Sequence, residues 1–220
     1  MFLFLSVSQS SGDMILISAP RGDAVLRKAE GERPSDWDNN MEDHIVGKAY
    51  VVGDDIDTDA IIPAKYLNLS HTHPDQREEL ARHAMEGLRN PPAPFVVDSK
   101  IPCSYQIIVA GDNFGCGSSR AQAPGALHVA GIRAVIASYY ARIFYRNSVN
   151  AALLIPLESV ERLCERVKTG DELEIFISKG EVINRTQNEH YRIKDLGAIR
   201  PILEAGDVFE YAKQVLKGKP

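Results

Sequence analysis

The sequence predicts an α/β fold with a mostly parallel sheet flanked by helices and a C-terminal β-hairpin. Three apolar runs between residues 105 and 155 alternate with helical segments, a pattern typical of parallel strands that are buried on both faces. Residues 172–178 and 181–186 alternate in polarity on either side of Lys179-Gly180, as the strands of a hairpin do. With 220 residues, 44% of them hydrophobic, the chain is long enough to form one well-packed domain.

The first half of the domain begins with a strand at 48–52. Residues 55–63 are predicted to form a polar loop, and Tyr66 to Ser70 a second loop. A helix is predicted over 75–88, because its apolar residues recur at helical spacing: Leu80, Ala84, Met85 and Leu88. The four prolines within 89–104 predict an irregular connection.

The second half continues the alternation of strands and helices. The predicted strands are 105–110, 134–137 and 152–155, and the predicted helices between them are 121–131 and 140–149. Residues 158–168 form an amphipathic segment whose predicted inward-facing residues are Val160, Leu163, Cys164 and Val167. Asp207 is placed to cap a last helix that runs through Leu216.

The amino-terminal segment is set apart by its composition. Residues 1–44 are predicted to be a mostly disordered extension, and residues 45–220 the folded domain. Met41 lies just before the first convincing strand, which leaves open whether the upstream segment belongs to the working protein. A transit peptide is the alternative interpretation, but acidic residues scattered through the segment argue against it.

Charge and cysteine content exclude several function classes. The net charge is −5 and charges of both signs are interleaved, which argues against a nucleic-acid-binding surface. No apolar stretch reaches the length of a transmembrane helix, so no membrane partner is predicted. The three cysteines have no metal-ligand spacing, so this chain alone is not expected to hold a metal. A disulfide framework is not expected either, which favours a reducing, cytoplasmic location.

The glycine-rich segment Gly111–Arg120 is the strongest functional signal. It joins a buried strand to a helix, where backbone N–H groups and the helix dipole favour an anion, and Gly115 and Gly117 permit close approach of the backbone. Arg120 adds a partner for a carboxylate, and a nearby serine can act as a base if a cation lowers its pKa. The alternative is that Ser118 or Ser119 only caps the helix, with Gln122 completing a capping box.

Three other segments have both a functional and a structural interpretation. Residues 54–59 resemble a calcium loop but lack its closing glutamate, so capping of turns is favoured. Leu67 and Leu69 are either core residues or an apolar wall for a substrate substituent. Arg142 and Arg146 share a helix face, for which a solvated surface is the favoured interpretation.

Three segments in order resemble one family, the small subunits of 3-isopropylmalate dehydratase, which are related to the C-terminal swivelling domain of aconitase. The segments are the glycine-rich turn, residues 53–67 (GDDIDTDAIIPAKYL) and residues 140–148 (YARIFYRNS). Gly206-Asp207 also lies where the family's final helix begins, so the resemblance covers about residues 44–218. A match in three ordered segments is far more specific than any single motif. The resemblance implies an aconitase-like swivelling β/β/α domain.

The resemblance also implies a reaction: isomerisation of 2-isopropylmalate to 3-isopropylmalate by dehydration and rehydration, in leucine biosynthesis. A partner large subunit would hold a 4Fe-4S cluster, and the substrate would be a hydroxy-dicarboxylate. By the same resemblance Ser118 would be the base, while Ser119 and Arg120 would hold carboxylate oxygens. The substrate substituent would face a loop that carries no arginine and consists of Tyr66, Leu67, Asn68 and Leu69.

The chain departs from the family next to Arg120, where Ala121 and Gln122 replace the usual glutamate and histidine. The lost glutamate would orient and partly neutralise Arg120. The alternatives left open are a small subunit for homoaconitate or dimethylmalate and a non-catalytic partner of the large subunit. A stand-alone phosphate-binding module is disfavoured, because no Lys-Ser/Thr follows the glycines.

Overall fold

The computed structural model describes residues 41–218 and, before them, two short strands. Strands β1 (Ile15–Ser18) and β2 (Asp23–Leu26) pair antiparallel within a unit that is separate from the rest of the chain. Both strands lie in the segment that was predicted to be disordered. The other residues of 1–40 are outside the described part of the chain, so the prediction is not tested there. Residues 41–44 already belong to the folded domain, since Met41 packs against its core and Asp43 accepts hydrogen bonds from Ser178.

The domain from residue 41 onward contains a mixed sheet. Its seven strands are β3 (His44–Val51), β4 (Ile107–Ala110), β5 (Ala134–Ala137), β6 (Ile155–Glu158), β7 (Glu172–Phe176), β8 (Glu181–Asn184) and β9 (Glu189–Arg192), in the order β6-β5-β4-β3-β7-β8-β9. Neighbours from β6 to β3 are parallel, and neighbours from β3 to β9 are antiparallel. The predicted parallel sheet and C-terminal hairpin are both present, joined through β3.

Helices cover both faces of the parallel part. They are α1 (Thr58–Ile61), α2 (Pro74–Arg82), α3 (Gln122–Val129), α4 (Arg142–Asn150), α5 (Arg200–Ala205) and α6 (Val208–Leu216). Alternate residues of β4 enter different cores: Ile108 joins one apolar cluster, whereas Ile107 and Val109 join the other. This burial on both faces explains why the strand is a continuous apolar run. Asp207 caps α6 as predicted, because its side chain accepts the Glu210 N–H.

One predicted helix and one predicted amphipathic segment differ from the structure. Helix α2 ends at Arg82 rather than near residue 88, because Met85 has a φ of 61° and donates its N–H to the Ile61 carbonyl at 2.7 Å. Apolar residues continue to recur at helical spacing through residue 88 although the helix ends at Arg82, which is why the predicted helix was too long. Residues 158–168 form no α-helix, since they contain the end of β6 and a 3₁₀ turn at Leu163–Glu165. Val160, predicted to face inward, is 63% exposed.

The main differences in the strand assignments are three. Strand β3 begins at His44, four residues before the strand predicted at 48–52. The strand predicted at 152–155 lies three residues later, as β6, and includes Pro156. Proline disfavours a central strand, but β6 is the edge of the sheet, where a missing N–H is tolerated. Strand β9, which pairs with β8, was not predicted, because Glu189–Arg192 is mostly polar.

No helix in the described residues is both long enough and apolar enough to cross a bilayer.

His71 gives the domain a predicted dependence on pH. It packs over Gly125 of α3, and burial, followed by the nearby His128, lowers its pKa. Because the unfolded chain protonates His71 near pH 6.5 and the folded chain only at lower pH, stability should fall as pH drops below about 6.5. Urea unfolding at pH 7.5 and 5.5 measures this loss. The His71→Asn variant should lose less stability between the two pH values, and an equal loss would contradict the prediction.

Candidate active site

The glycine turn Gly111–Arg120 lies at the carboxyl end of the parallel strands, between β4 and α3. Gly115 and Gly117 have φ values of 78° and 91°, which glycine adopts more readily than any other residue. Gly115 also faces the buried ring of Phe144 on α4, where an added Cβ would overlap the ring. Glycine is therefore required at position 115 for two separate reasons, and at position 117 for one.

The acidic loop 54–59 is hydrogen-bonded to this turn. The Ile56 carbonyl accepts the Gly115 N–H at 2.7 Å, and the Thr58 N–H donates to the Cys116 carbonyl at 2.8 Å. The Thr58 hydroxyl donates to the Ser118 carbonyl at 3.3 Å. Two segments some 60 residues apart in sequence are thus brought together. The Gly115 N–H already donates to the Ile56 carbonyl, so it is not free to bind a substrate. Gly115, which was predicted to bind substrate, therefore shapes the turn instead.

Each carboxylate of the acidic loop has a partner. Asp57 caps α1, accepting the Ala60 N–H at 2.6 Å, and Asp55 accepts from the Asn113 side chain at 2.8 Å. The backbone N–H of Asp112 and then Arg162 keep the pKa of Asp54 below its usual value. The structure thus confirms the interpretation of this loop as a capping and turn element.

Ser118 and Ser119 are exposed at the surface of the turn. Helix α3 begins at Gln122 with Ala121 as its N-cap, and no side chain caps it. The Gln122 side chain instead donates to the Leu67 carbonyl at 3.4 Å. The capping-box alternative for the two serines is therefore wrong, and both hydroxyls are available for other contacts.

The backbone at the turn also presents hydrogen-bond donors. Within residues 41–218, the N–H groups of Gly117, Ser118 and Ser119 have no hydrogen-bond acceptor. Three consecutive donors beside a glycine with positive φ form the kind of concave backbone site that binds carboxylates and phosphates. This supports the predicted anion-binding role of Gly117 and Ser119.

Arg120 is only 9% exposed, and both of its Nη atoms are hydrogen-bonded. Its two Nη atoms donate to the two carboxylate oxygens of Asp59 at 2.7 and 2.8 Å. They also donate to the Ile62 carbonyl at 3.1 Å and to the Ser118 Oγ at 3.4 Å. The hydrogen bonds from Arg120 lower the pKa of Asp59. Asp59 could not be recognised from the sequence as the partner of Arg120, because a contact between residues 61 positions apart has no signature in spacing.

The Tyr66–Leu69 loop is held beside this corner. The Tyr66 hydroxyl donates to both carboxylate oxygens of Glu86, at 3.0 and 2.9 Å, and its ring stacks on His83 with centroids 3.7 Å apart. Leu67 and Leu69 are half-buried against the core, as the packing interpretation predicted, while Asn68 is exposed. Glu86 is a second residue that the sequence analysis did not single out.

Arg142 and Arg146 lie on the exposed face of α4. Neither side chain makes an ion pair or hydrogen bond with another residue of the described part. Phe144 and Tyr140 are buried on the other side. The structure thus has the exposed face and the aromatic core residues that were predicted for this cluster. Tyr139 and Ile143, 49% and 45% exposed, add apolar surface on the same side.

The cysteines do not form a nucleophilic or metal-binding site. Burial raises the pKa of the Cys116 thiol, and Asp57 and Asp55 raise it further, so the thiolate is disfavoured. Cys103 is buried, and its thiol contacts the Tyr105 carbonyl. In the described residues no three histidine, cysteine or acidic side chains come together as metal ligands would.

Comparison with known proteins gives consistent matches. The aconitase C-terminal domain family matches residues 53–162. The chain is 44% identical over 174 residues to 3-isopropylmalate dehydratase small subunit 1 of Arabidopsis thaliana, a match covering 76% of this chain and 68% of the relative. It is 45% identical over 171 residues to small subunit 1 of Archaeoglobus fulgidus, covering 77% and 98%.

A solved structure shows the same similarity in three dimensions. The crystal structure of 3-isopropylmalate dehydratase (leuD) from Methanocaldococcus jannaschii superposes with a TM-score of 0.64 at 40% sequence identity. The match covers 80% of this chain and 98% of that one. The similarity therefore extends over the domain that carries the glycine turn and the acidic loop.

Proposed function

Because this chain belongs to the family of 3-isopropylmalate dehydratase small subunits, we propose that it is the small subunit of a hydro-lyase that interconverts 2-isopropylmalate and 3-isopropylmalate. The reaction removes water from one isomer and adds it back in the other orientation, as a step of leucine biosynthesis. The observation that supports a catalytic role is the exposed Ser118 hydroxyl beside the buried Arg120 guanidinium.

We assign the proton transfer to Ser118. Its Oγ would accept the proton from the carbon next to a substrate carboxylate and return it in the rehydration step. Serine alone is a weak base, but the Arg120 Nη2, 3.4 Å from Oγ, favours the ionised form. Arg120 is thus assigned a catalytic role through the charge it places beside the serine.

Substrate binding is assigned to the backbone of the turn. The free N–H groups of Gly117, Ser118 and Ser119 would hold a carboxylate, with the Ser119 hydroxyl as a further donor. The Tyr66–Leu69 loop would face the substituent that differs between substrates. It contains no cation, which favours an isopropyl group over a third carboxylate.

The reaction needs a group that this chain does not supply. The described residues do not fit a metal cluster, so we place a 4Fe-4S cluster on the large subunit. When bound there, such a cluster would act as a Lewis acid on the substrate hydroxyl. This chain contributes a base and an anion site, which together are half of an active site.

The large subunit must then cover the surface next to Ser118. Tyr139 adjoins the glycine turn, since its carbonyl accepts the Phe114 N–H at 3.1 Å. Its exposed ring, the exposed Ile143 and the uncompensated charges of Arg142 and Arg146 form one surface. We propose that this surface binds an acidic and partly apolar face of the large subunit.

Ile143→Asp is expected to weaken binding of the large subunit at least about tenfold, because it puts a carboxylate into an apolar contact. Calorimetric titration of one subunit with the other measures the change. Val46→Asp is the matched control, since Val46 is 44% exposed but lies near the start of β3, at the end of that strand that is farther from the glycine turn. Equal affinities for the two variants would rule out this surface.

The function is tested on the assembled enzyme. The full chain is co-expressed with the large subunit from the same genome, and the cluster is reconstituted without oxygen. Ultraviolet absorbance then follows the unsaturated intermediate formed from 2-isopropylmalate, homocitrate or dimethylmalate. Turnover of 2-isopropylmalate is expected. Turnover of only another substrate would reassign the specificity, and turnover of none would favour a non-catalytic partner.

A further inference from the structure

Arg120 has almost no donor capacity left for a substrate. Two of the four Nη hydrogens are accounted for by the Asp59 carboxylate, one by the Ile62 carbonyl and one by the Ser118 Oγ. Only the Nε–H has no partner among the described residues. A substrate carboxylate could bind Arg120 through two hydrogen bonds only by displacing one of these acceptors.

Asp59 is itself held in a fixed position. It lies in the first turn of α1, whose N-cap Asp57 accepts the Ala60 N–H, and its own carboxylate accepts the Ala64 N–H at 3.2 Å. Helix α1 is in turn joined to the glycine turn through the Thr58 N–H and the Cys116 carbonyl. These hydrogen bonds fix the position of the Asp59 carboxylate relative to Arg120.

A buried guanidinium requires a nearby negative charge, because an uncompensated buried charge is strongly destabilising. The residue next in sequence, Ala121, supplies none, since its methyl side chain carries no charge and makes no capping hydrogen bond at the start of α3. Among the described residues, Asp59 is the one carboxylate with a hydrogen bond to Arg120. The orientation of Arg120 towards Ser118 thus depends on Asp59.

We propose that Asp59 is a positioning residue for the dehydration reaction, one that fixes Arg120 against Ser118 and leaves substrate carboxylate binding to the backbone of the turn. The proposal rests on the proposed function. It also explains how an active site can retain an oriented arginine with alanine at position 121. The role is indirect: Asp59 acts through Arg120 and does not touch the reacting atoms.

The test compares Asp59→Asn with Asp55→Asn in the assembled, cluster-loaded enzyme. Both variants remove one negative charge from the same loop, but Asp55 contacts Asn113 and not Arg120. Asp59→Asn is expected to lower kcat by about 10- to 100-fold, the usual effect of losing an orienting partner, with KM changed far less. Asp55→Asn should keep kcat within about twofold, as expected for a change at an exposed side chain that leaves the contacts of Arg120 and Ser118 intact.

A pH–rate profile separates a positioning role from a merely structural one. Without Asp59, Arg120 is no longer held against Ser118, so the pKa of the base rises and the acidic limb of the profile should move to higher pH in Asp59→Asn. The double variant Asp59→Asn/Ala121→Glu, which offers a carboxylate from the other side, should recover part of the lost kcat. The proposal would be overturned if kcat of Asp59→Asn fell without a shift in the acidic limb of its pH–rate profile. It would also be overturned if Asp59→Asn and Asp55→Asn had equal kcat values.

A measurement on the isolated full-length chain does not depend on the cluster or on turnover. A guanidinium held at both Nη atoms rotates slowly, so Arg120 should show separate Nη hydrogen resonances in NMR spectra of the ¹⁵N-arginine-labelled protein. These should merge in Asp59→Asn and stay separate in Asp55→Asn. Merged resonances in the unmodified chain would overturn the proposal. If the unmodified complex turned over no substrate, the proposed function would fail instead, whatever the NMR result.

Discussion

Replacing Ser118 with alanine is expected to lower kcat of the assembled enzyme by about 10²- to 10⁴-fold, the usual contribution of a positioned proton-transfer group. The change removes the hydroxyl that faces Arg120 and keeps the backbone carbonyl that accepts the Thr58 hydroxyl. Ser118 is exposed and the change removes only its hydroxyl, so the chain should still fold and still form the complex. Ultraviolet absorbance of the unsaturated intermediate gives kcat, and size-exclusion chromatography reports the complex.

Ser119→Ala is the informative comparison. Ser119 is the neighbouring exposed serine, but its side chain makes no hydrogen bond with Arg120 in the described part of the chain. If it only helps to hold a carboxylate, its loss should raise KM and affect kcat much less than the loss of Ser118. Retained turnover in Ser118→Ala, with the complex intact, would remove Ser118 from the role of base.

Replacing Gly115 with alanine is expected to destabilise the domain by about 2–5 kcal/mol. A positive φ costs a non-glycine residue about 1–2 kcal/mol, and overpacking a core adds about 1–3 kcal/mol. The φ of 78° imposes the first cost, and overlap of the new Cβ with the buried Phe144 imposes the second. Chemical denaturation of the isolated full-length chain measures the sum.

Gly117→Ala separates these two costs. Gly117 has a φ of 91°, but the atom nearest to an added Cβ is the Thr58 Oγ1, at an ordinary 3.5 Å. It should therefore lose only about 1–2 kcal/mol. Equal losses at the two positions would mean that contact with Phe144 contributes nothing.

The sequence predicts those parts of the candidate site that are formed by residues close together in the chain. The glycine turn, its serines and Arg120 were identified because strand-to-helix turns with glycine have a recognisable composition. Asp59 was not, because nothing in the sequence indicates that the loop at 54–59 folds back onto the turn. The hydrogen bond from the Gly115 N–H to the Ile56 carbonyl could not be predicted from the sequence either, because it depends on how two distant loops meet.

In the fold, too, elements with a clear local pattern were predicted correctly, whereas features that depend on tertiary contacts were not. The strand at 134–137 was predicted to the residue, because burial on both faces gives a continuous apolar run. The helix over 75–88 was extended too far, since side-chain periodicity persists where a hydrogen bond to Ile61 turns the backbone at Met85. Strand β9 has too little apolar content to be recognised without its partner β8.

The attachment of the glycine turn to the acidic loop has a consequence for protein engineering. The acceptors that shape the turn, the Ile56 carbonyl and the Asp54 carboxylate, come from outside it, and the Asp112 N–H reaches Asp54 at 2.7 Å. A peptide of residues 111–120, or a graft of that decapeptide onto a foreign scaffold, would lack both. The Gly111 N–H also donates to the Gly53 carbonyl, and the Phe114 N–H donates to the Tyr139 carbonyl. The smallest transplantable unit therefore has three segments, 53–62, 111–120 and 139–140, mounted on three adjacent parallel strands.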